Sequence, residues 1–225
     1  NKNAFLDYTV FMKWLKRIFL IAAITLFTLF LSAAIYYCAA TSGVHLQPQK
    51  LELSKNHVFI YDTHCNLSPS ANGSIHQTVT LSQVPKSTID AFISTEDKRF
   101  YSHDGFDFKR IVKSALTNLK SGSFKQGAST ISQQLIKNTH LSQEKTLKRK
   151  LQEWKLTRAL ERAYTKDEIL EKYLNVIYFG HNCFGLDRAA KFYFNKAVDE
   201  LSLADSAILA GLVKSPNHFS PFKNA

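Results

Sequence analysis

Apolar residues occur along this chain in two ways. From Ile18 to Ala40 they dominate a run with no charge, whereas from Val84 onward they recur at helical spacing between polar positions. At about 1.5 Å per residue the first run is long enough to cross a hydrocarbon core of about 30 Å. Lys13, Lys16 and Arg17 stand just before it, and the next formal charge after it is Lys50. That asymmetry predicts a cytoplasmic tail over 1–17, a transmembrane signal anchor over 18–40 and an extracytoplasmic remainder. A cleaved signal peptide fits less well, because the run is long for an h-region and Ser32-Ala33-Ala34 is a poor cleavage site.

Residues 41–83 read as a polar stalk with a short strand at Val58-Phe59-Ile60-Tyr61. A domain over 84–225 follows. Pro85 suits a first helical turn, with Ile89, Phe92 and Ile93 on one face. Further helices are predicted over 107–120, 130–139, 144–164, 166–176, 186–194 and 201–213, punctuated by Gly105, Gly122, Gly127, Gly180 and Gly185. The domain is therefore expected to be mainly α. A first residue of Asn1 and a last of Ala225 make a fragment of a longer protein the expectation.

Composition narrows the chemistry only partly. The net charge of +11 points to an anionic partner, whether nucleic acid, anionic lipid or a phosphorylated substrate. An extracytoplasmic location disfavours nucleic acid. Cys38, Cys65 and Cys183 form no C-x-x-C or Cys/His cluster, so a zinc site is not expected, and whether Cys65 and Cys183 pair stays open.

Four segments carry candidate chemistry. The first, Glu96 to Gly105, packs both signs of charge beside Phe100, Tyr101 and His103. A carboxylate there can act as a general base; a solvated helix end, with Glu96 and Asp97 paired to Lys98 and Arg99, is the plainer alternative. The second runs from Gly127 to Asn138. Thr130 and Gln133 fit a capping box that starts a helix, whose free N–H groups attract phosphate. Ser129, Thr130, Gln133, Gln134 and Asn138 offer hydroxyls and amides to sugar or phosphate oxygens, and Lys137 shares the face of the two glutamines. The third sets Arg149 and Lys150 one helical turn before Glu153, either as a surface ion pair or as a cationic clamp for pyrophosphate around a second carboxylate. The fourth, Lys166 to Asn175, presents Ile169, Leu170, Tyr173 and Leu174 as a buried face.

In this order the four segments resemble the peptidoglycan glycosyltransferase domain (glycosyltransferase family 51) of class A penicillin-binding proteins and monofunctional transglycosylases. The family pattern E-D-x-x-F-x-x-H-x-G corresponds to Glu96–Gly105, G-A-S-T-I-[ST]-Q-Q-L-x-K-N to Gly127–Asn138, R-K-x-x-E to Arg149–Glu153, and I-L-E-x-Y-L-N to Ile169–Asn175. A closing helix and loop, Ala204 to Asn217, extends the likeness, which covers roughly 84–222. Ser132 replaces the usual Thr and keeps its hydroxyl. Phe184 and Asn195 stand where Tyr and Gly are expected, which bears on local packing rather than chemistry.

The resemblance implies a lysozyme-like, two-lobed, mainly α fold with a smaller membrane-dipping lobe. It also implies lipid II and the growing lipid-linked glycan as substrates, a β-1,4-linked product, and inversion with release of undecaprenyl pyrophosphate. Glu96 is expected as general base, with Glu153 or Asp97 next in line, and Glu153 as the second carboxylate. Ser129, Thr130, Gln133, Gln134, Lys137, Asn138, Arg149, Lys150 and Asn175 are expected to bind substrate. Mg2+ or Mn2+ would at most assist the pyrophosphate; no metal-binding residues and no organic cofactor are expected. Two other readings remain. A peptidoglycan-cleaving, lysozyme-like enzyme would also need a carboxylate, but has no use for the cations of a pyrophosphate site. A non-catalytic, membrane-anchored binding module would have no reason to combine Glu96, the glutamine pair and Glu153.

Overall fold

A computed structural model describes residues 2–52, 78–122, 127–142, 144–216 and 218–222. Among the described residues eight α-helices form the architecture: α1 Lys2–Thr41, α2 Lys86–Glu96, α3 Phe108–Ser121, α4 Ile131–His140, α5 Leu147–Ala163, α6 Lys166–Val176, α7 Leu186–Phe194 and α8 Leu203–Lys214. Among the described residues the only β pairing is an isolated antiparallel bridge between Tyr178 and Phe184. The strand expected at Val58–Tyr61 lies outside the described residues, as does Cys65.

The helices begin where side chains can take up free backbone N–H groups. Thr130, Thr165 and Ser202 accept from the amides of Gln133, Glu168 and Asp205, and each of these partners reaches back in a capping box. Helix α5 starts at Leu147 rather than 144 because Thr146 Oγ1 takes the Arg149 amide. Helix α7 ends on Asn195 at φ 53°, ψ 37°. That left-handed position explains why glycine suits it and why Asn, the next most tolerant residue, stands in. Phe184 keeps an aromatic ring against Tyr178, with centroids 4.7 Å apart.

The core is built by α4 packing on α5 and α6, and by α2 packing on α8. Phe92, Phe100, Ile131, Leu135, Leu156, Leu160, Tyr173 and Phe179 are fully enclosed. Cys183 is buried among them as a free thiol, and burial pushes its pKa up to about 11. No residue of helix α3 joins this core. Its Phe108, Val112, Leu116 and Leu119 are exposed, and Lys109, Lys113 and Lys120 flank them.

Met12–Thr41 is long and apolar enough to cross a membrane, with its side chains outward. Its C-terminal end does not hang free. Gln152 Nε2 donates to Ala40 O at 3.0 Å and Lys155 Nζ to Thr41 O at 2.9 Å, while Tyr37 meets Trp154 edge-on at 5.9 Å. Helix α5 thus satisfies carbonyls that the end of α1 leaves open, with a cation at its negative pole.

The stalk expectation is corrected for residues 44–52. Leu51 is fully buried in the core, Val44 and Leu46 pack against it, and Gln47 N–H donates to His140 Nε2 at 3.0 Å. His140 is neutral in this bond; burial and then the charge of Lys50 hold its pKa below the usual range. The apolar residues around this stretch, Val44, Leu46, Leu51 and Leu53, follow no sustained helical or strand period that would reveal a core position. Val79 joins the domain likewise, before the boundary expected at 84. Leu51→Ala should lower stability by about 2–5 kcal/mol, the cost of an unfilled core site; denaturant unfolding in detergent measures it. A free stalk would give no change.

Candidate active site

The first motif is organised by its second residue. Asp97 is completely buried at the end of α2. Its carboxylate receives His103 Nε2 at 3.1 Å and the Ile131 amide at 3.2 Å. It therefore sits against the positive N-terminus of α4. Thr130 Oγ1 donates to Gly105 O at 2.7 Å, closing the loop on the same helix start. Gly105, at φ +85°, passes so close to α5 that a Cβ would lie 2.8 Å from Thr157 Cγ2. Arg99 forks onto Asp107, which caps α3 through the Arg110 amide. Burial raises the Asp107 pKa, but the bonds from Arg99 and the Arg110 amide outweigh this and hold it below the usual range. The simple pairing of Glu96 and Asp97 with Lys98 and Arg99 does not occur: Arg99 belongs to Asp107 and Asp97 to His103.

Glu96 emerges beside this knot, half-buried, on a cleft of about 750 Å3. Its Oε2 accepts from Gln134 Nε2 at 2.7 Å, and its backbone carbonyl accepts from Arg110 Nη1. Among the described residues no hydrogen bond occupies Oε1. Ser129 from the loop before α4 is on the wall, with Lys98, Lys109, Arg110, Lys113 and, from the end of α8, Lys214. Sequence reasoning missed these cations. The exposed basic positions of α3 and the last lysine of α8 gave a signal, but only the fold brings them to Glu96.

Glu153 is arranged differently. It is buried and ringed by donors: Gln133 Nε2 at 2.9 Å, Arg149 Nη1 at 3.1 Å and Lys150 Nζ. The surface-pair reading of this motif is excluded by that burial. Arg149 keeps one buried polar atom, Nε, without a partner. Lys137 and Asn138 are exposed on α4, one turn beyond the glutamines.

Three residues expected to bind substrate are engaged by the protein itself. Thr130 is buried in the cap of α4, and Gln133 holds its own cap and Glu153. Asn175 clamps Val79 through both backbone groups, at 2.9 and 2.8 Å, and reaches Glu171 O at 2.9 Å. Asp97, a fallback base, is enclosed and fully engaged. Of the expected set, Glu96, Ser129 and Gln134 share the cleft, while Arg149 and Lys150 gather on Glu153.

Among the described residues one group of side chains has the spacing of a metal site. Asp97, His103 and Asp107 lie close enough together to hold a cation. However, Asp97 is taken by His103 and α4, Asp107 by Arg99, and Glu153 by three donors.

Comparisons with known proteins agree with this geometry. The sequence model of the Transglycosylase family matches residues 66–225. Penicillin-binding protein 1A of Escherichia coli is 51% identical over 143 residues, 64% of this chain and 17% of that protein. Penicillin-binding protein 1F of Bacillus subtilis is 36% identical over 206 residues, 92% of this chain and 29% of that protein. Penicillin-binding protein 1A of Clostridium tetani is 41% identical over 210 residues, 87% of this chain and 26% of that protein. The chain thus spans less than a third of the length of these relatives. With its four motifs converging on the first turn of α4 and a family match over most of its length, the chain belongs to the transglycosylase family, the peptidoglycan glycosyltransferase domain that those motifs resemble.

Proposed function

We propose that this chain polymerises lipid II into β-1,4-linked glycan with inversion and release of undecaprenyl pyrophosphate. The observation that carries the proposal is Glu96: a carboxylate with one oxygen held by Gln134 and the other open to a cation-lined cleft. A sugar hydroxyl is a poor nucleophile at neutral pH and needs a positioned base as the new bond forms. Glu96 Oε1 takes the proton of the acceptor 4-hydroxyl. The hydroxyl oxygen bonds to the donor's anomeric carbon from the face opposite the pyrophosphate, whose bond to that carbon breaks.

The leaving group carries its charge away and needs cations more than a proton. Arg149, Lys150 and Lys137 serve it, with Glu153 orienting the first two rather than acting as an acid. The unpartnered Nε of Arg149 is a donor waiting for such an oxygen. The separate set at Glu96, Lys98 to Lys113 with Lys214, meets the acceptor's own pyrophosphate. Mg2+ or Mn2+ enters this proposal only as a screen carried by the pyrophosphate. A hydrolase acting on finished, uncharged glycan would have no use for either set of cations.

We further propose that the chain is a single-pass protein of the cytoplasmic membrane with its catalytic domain on the extracytoplasmic side. The charge asymmetry around α1 supports that orientation. The exposed apolar face of α3, flanked by lysines, suits burial among lipid tails and anionic headgroups beside the lipid-linked substrate.

Incubation of the purified chain with lipid II tests the proposal: glycan polymer should form. Glu96→Gln should abolish polymer while leaving lipid II binding and the melting temperature unchanged; turnover within a few-fold of wild type would exclude Glu96 as the base. Glu153→Gln should lower both activity and melting temperature, because the largely buried Arg149 guanidinium then faces a neutral amide. Lys137→Ala and Arg149→Ala should each slow polymerisation by roughly 30- to 1,000-fold, about 2–4 kcal/mol of lost stabilisation of the departing charge. Rates near wild type in both would remove them from the pyrophosphate site.

A further inference from the structure

Behind Gln134, away from the cleft, lies a group that no motif reading assigns to the chemistry. Tyr173 of α6 is completely buried, and its hydroxyl donates to Gln134 Oε1 at 3.3 Å. The same amide donates from Nε2 to Glu96 Oε2 at 2.7 Å. Tyr173, Gln134 and Glu96 therefore form one line from the core to the cleft. We propose that Tyr173 is a positioning residue for the reaction: its phenol fixes the Gln134 amide so that the amide holds one oxygen of Glu96 and leaves the other free for the acceptor hydroxyl. The proposal rests on the reading of Glu96 as the base.

The hydrogen-bond inventory gives this line a single direction. A carboxylate only accepts, so the amide must turn its NH2 toward Glu96 and its oxygen toward Tyr173. The phenol must then donate. Burial, and next the negative charges of Glu96 and Asp97, hold its pKa well above the usual 10, so the proton stays in place. The alternative orientation would set the amide oxygen against Glu96 Oε2, two acceptors facing each other. Without the phenol the amide oxygen loses its partner, and only the bond to Glu96 limits a terminal torsion that is broad in glutamine.

Packing alone does not account for the hydroxyl. A Phe of the same ring would fill the site between α4 and α6, and burying a hydroxyl is unfavourable unless it finds a partner. Its partner is an amide that faces the cleft rather than the core. Asp97, one residue away, does not perform this task, since its bonds go to His103 and Ile131. A base displaced by even 1 Å from its proton loses much of its effect, so a buried phenol can influence a reaction it never touches.

The experiment measures lipid II polymerisation by the full chain in detergent for Tyr173→Phe, Gln134→Ala, the double variant and Glu96→Gln. Tyr173→Phe should lower kcat about 10-fold with KM within two-fold of wild type. In the Gln134→Ala background it should produce no further loss, since the line is already cut. A purely structural role would lower the melting temperature without this split between kcat and KM. The proposal is overturned by a kcat for Tyr173→Phe within two-fold of wild type, or by an undiminished effect in the double variant. If Tyr173→Phe does not fold, Gln134→Ala alone decides: a fall in kcat at constant KM supports the line, and a rise in KM at constant kcat overturns it. Glu96→Gln separates the two readings. An inactive Glu96→Gln beside a wild-type Tyr173→Phe ends the positioning role alone, whereas an active Glu96→Gln ends the assignment of the base.

Discussion

The active site depends on how the N-terminus of α4 is satisfied inside the protein. A helix start leaves N–H groups without intrahelical partners, and this one is buried, so partners must come from the protein. Asp97 supplies a charge to the Ile131 amide, and Thr130 supplies its hydroxyl oxygen to Gln133. Fixing Asp97 fixes the residue before it, and Glu96 emerges at the cleft as a result. The side chains of Gln133 and Gln134, in the same first turn, point in different directions and reach the two carboxylates, Glu153 and Glu96. One turn of helix thus sets the relation between both acidic groups.

Those two carboxylates are treated in opposite ways. Glu153 is enclosed and held by three donors, two of them cations, so its charge is compensated inside the protein. Such a group is rigid and well suited to hold cations in place. Glu96 is half-buried and keeps an oxygen open to the cleft, as the role of base proposed for it requires. The surroundings, rather than the residue type, separate the roles.

The same helices tie the site to the apolar N-terminal helix. Helix α5 carries Glu153 on a buried face, caps the end of α1 with Gln152 and Lys155, and passes close to Gly105 of the first motif. The apolar helix is thereby seated on an element of the active site instead of being joined through a loose stalk. Leu51, inserted into the core, secures the connection from the other side.

Much of this was legible in the sequence. Capping residues at Thr130, Thr165 and Ser202, apolar spacing within each helix and the charge-free run before Ala40 act over a few residues, so they determine the helices and their ends locally. The four motifs likewise identified Glu96 and the Arg149–Glu153 turn. Partners were not legible, because helical periodicity says which face a residue occupies but not what lies opposite. Thr130, Gln133 and Asn175 carry polar groups suited to a substrate, yet the fold uses them on Gly105, Glu153 and Val79. Lys109, Lys113 and Lys214, distant in sequence, meet Glu96 only because α3, α2 and α8 surround one cleft. Tyr173 reads as core and is core, but its hydroxyl reaches Gln134 across the packing of α6 on α4. Local hydrogen bonding and hydrophobic spacing fixed the helices; the choice of partner for each polar atom required their three-dimensional packing.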